Sequence, residues 1–149
     1  MTVQVVPDGF DPWSTLADYA SKHAGTLGSY GATGVFVGTM RDFNEGSRVD
    51  SMELEHYPGM TEKALERIIE DAQEKWAIVE ALIVHRIGTV RPGDPIVLTA
   101  TWSRHRGDAL DACRHIMEAL KSRAPFWKRE SVAGGARWVE RNTDGYQHS

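Results

Sequence analysis

The run Lys121-Ser-Arg-Ala-Pro-Phe-Trp-Lys-Arg-Glu130 sets two lysines and two arginines around a Pro-Phe-Trp core. A lysine amine does two kinds of chemistry. Neutral, it attacks an acyl carbon; charged, it holds a carbonyl, carboxylate or phosphate. A free lysine titrates near ~10.4 and is a poor nucleophile at neutral pH. Burial and cationic neighbours such as Arg123 and Arg129 lower that value, while a helix C-terminus raises it for Lys121. Both charge states therefore stay open, and Lys121 and Lys128 are the candidate catalytic residues. Seven residues make two helical turns, so the pair first looks like one helix face. Pro125 excludes this, because it lacks an N–H, crowds the preceding turn and drives Ala124 to extended geometry. A helix ending near Lys121, a turn, and a strand receiving Lys128 are expected instead.

A second cationic group is Ser103-Arg-His-Arg106. With Ser103 as the helix cap, His105 and Arg106 fall in a first turn that already presents free N–H groups. Cations there are unfavourable unless an anion lies among them, and a phosphate resolves the conflict. A solvated charged turn is the plainer alternative. Other chemistries find little support. The six histidines form no His-x-His or His-x-x-x-His pair, and a single cysteine supplies no thiolate cage. Neither a phosphate-binding Gly-x-x-x-x-Gly-Lys-Ser/Thr loop nor a Gly-x-Ser-x-Gly elbow occurs. Cys113 lies on a helical apolar stripe and reads as a packed small hydrophobe.

The totals place these groups in context. Net charge is −4, which disfavours general nucleic-acid binding. Residues 104–130 nevertheless hold seven Lys/Arg against four Asp/Glu, a local balance of +3, so the remainder carries −7. A localised positive field suits a small anion or an acidic partner. At 149 residues a single domain spanning 1–149 is expected, with 142–149 as a frayed tail. The lone cysteine fits a reducing cytoplasm, and no signal peptide or bilayer-spanning run is expected.

The elements that must position the cations follow from pattern. Thr2–Val6 reads as a strand closed by Pro7. Asp11-Pro12 starts a helix that runs to about Ala24. Residues 31–40 are strand-like, with Gly34 and Gly38 marking close approach of a backbone or a ligand. Residues 41–48 read as a polar loop. Residues 49–57 form a strand with Met52, Leu54 and His56 on one face, followed by an amphipathic helix to about Trp76. Residues 78–87 and 95–102 are strands joined through Arg91-Pro-Gly-Asp94. The next helix has a predicted core stripe of Leu110, Cys113, Met117 and Leu120. Residues 126–132 and 136–140 form a hairpin about Gly134-Gly135. Mixed strands and helices with hairpin connections predict an α+β fold, not a doubly wound one.

Six segments together resemble the catalytic (large) subunit family of molybdopterin synthase. They are Gly38-Thr-Met-Arg41, Leu54-Glu-His-Tyr-Pro-Gly-Met60, His85-Arg-Ile-Gly88, Arg91-Pro-Gly-Asp94, Ser103-Arg-His-Arg106 and Leu120 to Glu130. The resemblance covers about Gly31 to Glu140. It implies an α/β hammerhead fold with mixed and antiparallel sheets. It also implies a homodimer that carries a small ubiquitin-like sulfur carrier on each side, a heterotetramer in all. The carrier's C-terminal Gly-Gly thiocarboxylate would supply two sulfurs to cyclic pyranopterin monophosphate, making the dithiolene of molybdopterin. By position, Lys121 and Lys128 match the family's essential lysines. Arg41, His105 and Arg106 match residues that hold the pterin and its phosphate, and Thr39, Met40, Arg129 and Glu130 match flanking positions. Some members carry lysine where this chain has Thr39. No cofactor, metal, nucleic acid or membrane is implied.

Fifteen residues separate Arg106 from Lys121, roughly 22 Å along a helix at about 1.5 Å each. One small pterin does not reach both ends. His105 and Arg106 are therefore expected to serve a pocket holding another protomer's lysines. Two other classes fit the same residues. A binding module for acidic peptide or single-stranded RNA would use Phe126 and Trp127 for stacking and lose affinity steeply with salt. An acyl- or phosphate-ester enzyme would act without a carrier.

Overall fold

The structure, a computed structural model, describes residues 1–25, 28–44, 47–132 and 135–138. The chain runs β1 (Thr2–Val6), α1 (Pro12–His23), β2 (Ala32–Thr39), β3 (Phe43–Asn44), β4 (Ser47–His56), α2 (Met60–Lys75), β5 (Glu80–Arg86), β6 (Gly88–Val90), β7 (Pro95–Ser103), α3 (Arg106–Arg123), β8 (Phe126–Val132) and β9 (Gly135–Trp138). The predicted residues 139–140 of the last strand and the 142–149 tail lie outside the described residues.

One sheet has the order β1-β5-β7-β2, with β1 parallel to β5 and the other pairs antiparallel. Both faces are covered, so its central strands are buried along most of their length, and the polar residues they bury, among them Thr99, Thr101 and Ser103, are hydrogen-bonded. Ala81, Ile83 and Val97 face Leu65, Ile69, Ile116 and Leu120 of α2 and α3. Leu82, Val84, Leu98 and Trp102 face Tyr19 and its neighbours on α1. Burial of this kind contributes roughly 25 cal/mol per Å² of apolar surface and dominates folding. Asp11 caps α1 by accepting from the Trp13 N–H at 3.0 Å, with Pro12 in the first turn, as its sequence predicts.

The second sheet is antiparallel, in the order β3-β4-β8-β9, with β6 also on β4. Alternation on β4 holds: Met52 and Leu54 are buried, while Glu53 and Glu55 are exposed. The 41–48 stretch differs from the polar loop expected. Phe43–Asn44 pairs with Ser47 and Arg48, so the loop is a hairpin extending β4.

Gly34 shows why α3 lies close to the first sheet. A Cβ there would stand 2.5 Å from the Ala109 carbonyl oxygen and 3.1 Å from the Cys113 Cβ. Its role is helix packing, not a ligand groove. Thr101 reinforces the contact by donating to the Ala109 carbonyl at 2.6 Å. Gly34→Ala should destabilise the chain by about 1–3 kcal/mol. The check is urea unfolding, with a lower midpoint at unchanged slope. Close approach also rotates α3 relative to the predicted stripe. Ala109, Ala112, Cys113, Ile116 and Ala119 face inward, whereas Leu110 is 60% exposed. Cys113 is core as expected, hydrogen-bonded to Thr99 and with its thiol pKa raised by burial.

Candidate active site

The two lysines sit on either side of a turn held from three directions. Lys121 lies in the last turns of α3, which continues to Arg123, slightly beyond the expected end. Ala124 is extended at φ −80°, ψ 130°, as a residue before proline must be. Arg123 Nη2 pairs with Asp71 Oδ2 of α2 at 2.8 Å. Buried Thr61 donates its hydroxyl to the Pro125 carbonyl at 3.0 Å and accepts from the Tyr57 N–H at 3.0 Å. Phe126 stacks on His85 with ring centroids 3.8 Å apart.

Strand β8 then sorts its side chains by alternation. Phe126, Lys128 and Glu130 stand opposite His56, Leu54 and Met52 of β4 and share their inner face. Trp127 and Arg129 point the other way and are exposed. Trp127 meets Tyr57 edge-on, with centroids 5.8 Å apart, and Phe126 and Trp127, on opposite faces of β8, do not form one stacking surface.

Burial lowers the pKa of Lys121, with Glu118 opposing. Burial likewise brings Lys128 down to about 8, helped by the charge of Lys121 and opposed by Glu130. Two amines from a helix and a strand thus share one desolvated region, where an ammonium is harder to keep than in water. The expected causes need correction. Arg123 is engaged by Asp71, and Arg129 lies on the opposite face; Lys121 is the cation that acts on Lys128. At Lys121, burial outweighs the helix terminus.

The remaining candidates divide. Glu130 is 3% exposed, on the face of Lys128. Met40 is buried in one cluster with Met52 and Leu54, its N–H donating to the Asp94 carbonyl at 2.9 Å and its carbonyl accepting from Gly93 at 2.9 Å. This brings the end of β2 to the sheet bearing Lys128, with Arg41 exposed next to it. Thr39 turns away and lines a cavity of about 630 Å³ with Asp11, Trp13 and Pro95. His105 and Arg106 are exposed at the opposite end of α3 from Lys121, so one protomer does not bring them together. Ser103 is not the cap. It belongs to β7, where its hydroxyl donates to the Ala77 carbonyl at 2.7 Å, and extended His105 occupies the cap position without a side-chain capping bond.

The sequence gives no role at the site to Thr61, nor to His85 beyond its place in the His85-Arg-Ile-Gly88 segment, although both touch the turn. The available signal was a histidine continuing the inward row Ala81, Ile83 of a strand whose centre is apolar. Among the described residues, no three His, Cys, Asp or Glu side chains are grouped as metal ligands. No helix among them is long and apolar enough to cross a membrane.

Residues 10–123 match the sequence profile of the family described as MoaE protein. The chain belongs to that family. Its curated relatives are molybdopterin synthase catalytic subunits. The one from Ralstonia nicotianae is 55% identical over 139 residues, covering 93% of this chain and 77% of the relative. A solved structure, the molybdopterin biosynthesis MoaE protein from Burkholderia ambifaria, matches with TM-score 0.78 at 45% identity, covering 97% of this chain and 92% of that one. The fold extends to a more distant chain, from a protein–protein complex of subunits 1 and 2 of molybdopterin-converting factor of Helicobacter pylori. There the TM-score is 0.76 at 20% identity, with coverage of 95% and 92%. MoaE family membership agrees with the α+β architecture and with the resemblance carried by the motifs.

Proposed function

We propose that this chain is a sulfurtransferase acting within molybdopterin synthase. It would move two sulfurs from the C-terminal thiocarboxylate of a small ubiquitin-like carrier to cyclic pyranopterin monophosphate. In each transfer a C–S bond forms at a pterin side-chain carbon as a C–O bond there breaks, the oxygen leaving as water or on the phosphate. The carrier's acyl C–S bond is then hydrolysed. Water supplies the oxygen of the carboxylate released. The observation that carries the reading is the convergence of Lys121 of α3 and Lys128 of β8, both half-buried on the inner face. There burial lowers the pKa of both amines, and the charge of Lys121 helps bring Lys128 down to about 8. Such amines can hold the developing and departing anions in a desolvated site, where charge counts for more than in water. Glu130 on the same face tempers their repulsion.

The single cysteine is consistent with this chemistry, because sulfur arrives on the partner and no thiol relay is needed. The two-subunit composition of the Helicobacter pylori complex supports a second chain here. The site is completed across a homodimer, within a heterotetramer, in the cytoplasm. His105 and Arg106 of one protomer hold the pterin phosphate beside the lysines of the other, with Arg41 at its margin. The pterin is substrate, and the reaction as written calls on no metal.

Reconstitution with the pterin and carrier tests the reading. Thiocarboxylated carrier should support conversion, and carrier ending in an ordinary carboxylate should not. Conversion without any carrier would favour an ester-cleaving enzyme. Absence of conversion together with salt-sensitive binding of single-stranded RNA would favour a binding module.

A further inference from the structure

His85 ends the inward row of β5 and is 2% exposed. Its Nδ1 lies 2.8 Å from the Arg86 carbonyl oxygen. A carbonyl only accepts, so Nδ1 carries the proton and Nε2 keeps the lone pair. The ring stacks on Phe126 at 3.8 Å with planes 17° apart. Charged and titratable groups face it from three elements: Lys121 of α3, Lys128 of β8 and His56 of β4. His56 is itself 3.5 Å from Glu62 of α2. Burial foremost, against the Arg86 hydrogen bond and with the three facing groups adding to it, brings the imidazole down to about 3. The ring is therefore neutral at physiological pH. It is an uncharged aromatic plate, unsuited to shuttling protons.

Alternation places Phe126 and Lys128 on one face of β8, two residues apart. Whatever holds the Phe126 ring sets where Lys128 emerges. We propose that His85 is a positioning residue of the lysine site: clamped between the Arg86 carbonyl and Phe126, its ring fixes the start of β8 and keeps water from Lys128. This rests on the reading of Lys121 and Lys128 as the working amines. Its test, however, needs neither carrier nor pterin.

The test is pulsed acylation of the whole chain with an amine reagent across a pH series. Labelling of Lys128 is quantified by peptide mass spectrometry, and folding is checked by the melting transition. In the wild type, Lys128 labelling should reach half its limit near pH 8. His85→Asn keeps a donor for the carbonyl but loses the plate, so its midpoint should rise by about one unit or more. Phe126→Leu removes the other half of the stack and should do the same; it decides the matter where His85→Asn fails to fold. His85→Phe keeps an aromatic plate and should stay within about half a unit of wild type. An unchanged midpoint in folded His85→Asn or Phe126→Leu overturns the proposal, as does an equal rise in His85→Phe. If these midpoints move as stated while reconstitution shows no sulfur transfer, the functional reading fails and the role of His85 stands.

Discussion

Lys128→Met should lose sulfur transfer by at least about a hundredfold, the usual cost of removing a positioned proton-transfer or charge-stabilising group. The same variant should be more stable than wild type at pH 7. The sign follows from linkage. The folded chain holds Lys128 at about 8 against 10.5 for an unhindered lysine. Between those values the unfolded chain binds more protons, so wild-type stability rises with pH across that window. Below it, the buried ammonium costs the folded state up to about 3 kcal/mol, at about 1.4 kcal/mol per unit. The attraction of Glu130 is already contained in that net value. Methionine fills similar space without charge, and Tm at pH 7 should rise by several degrees. Above about pH 10.5 the advantage should vanish. Loss of activity with a gain of stability marks a residue kept for chemistry and not for folding. A thermal melt at two pH values beside a single-turnover assay checks both halves.

Mixing two inactive variants should restore activity. Arg106→Ala and Lys121→Ala each damage one end of the continuous helix Arg106–Arg123, whose termini lie too far apart for one small substrate. If a site takes lysines from one protomer and His105 and Arg106 from its partner, a mixed dimer holds one intact site. Its other site lacks both groups. Random re-association makes about half the dimers mixed, so about a quarter of the wild-type rate should return. Sites contained within single protomers would give no recovery, since every protomer in the mixture is damaged. Subunit exchange in mild denaturant, followed by the reconstitution assay, separates the two.

Local chemistry made much of this architecture readable. Asp11-Pro12 starts α1, and Pro125 forces the turn that parts Lys121 from Lys128. In both places a side chain dictates its own backbone geometry, so no distant partner has to be known. Errors arose where a distant partner decides. The three residues of β6 form a strand because Met52–Leu54 comes alongside them, a pairing no local pattern encodes. Gly88, at φ 88°, starts β6 just after β5 in a conformation other residues rarely adopt. Leu110 looked like core by spacing, but Gly34 draws Ala109 against β2 and rotates Leu110 outward. Ser103 has the composition of a cap, yet it stays in β7, its hydroxyl donating to the Ala77 carbonyl and accepting only a long 3.5 Å bond from the His105 N–H, so the cap position falls to His105.

The site divides along the same line. Lys121 and Lys128 stood out because cations around Pro-Phe-Trp are unusual, and Glu130 and Met40 do lie on the inner face or in its core. Arg129 was grouped with the lysines by adjacency, whereas strand alternation sends it to the opposite face. His85, quoted only within a resemblance segment, received no site role because its partner Phe126 lies 41 positions further along the chain. Its importance is visible only once the rings are stacked.

The account depends on two amines from separate elements occupying one dry region. Side-chain NMR of the lysine Nζ groups across a pH titration measures this directly. Lys128 should titrate near 8, and Lys121→Met should move it upward by removing a neighbouring charge. Midpoints near 10.5 for both lysines, with Lys128 indifferent to the loss of Lys121, would contradict the account.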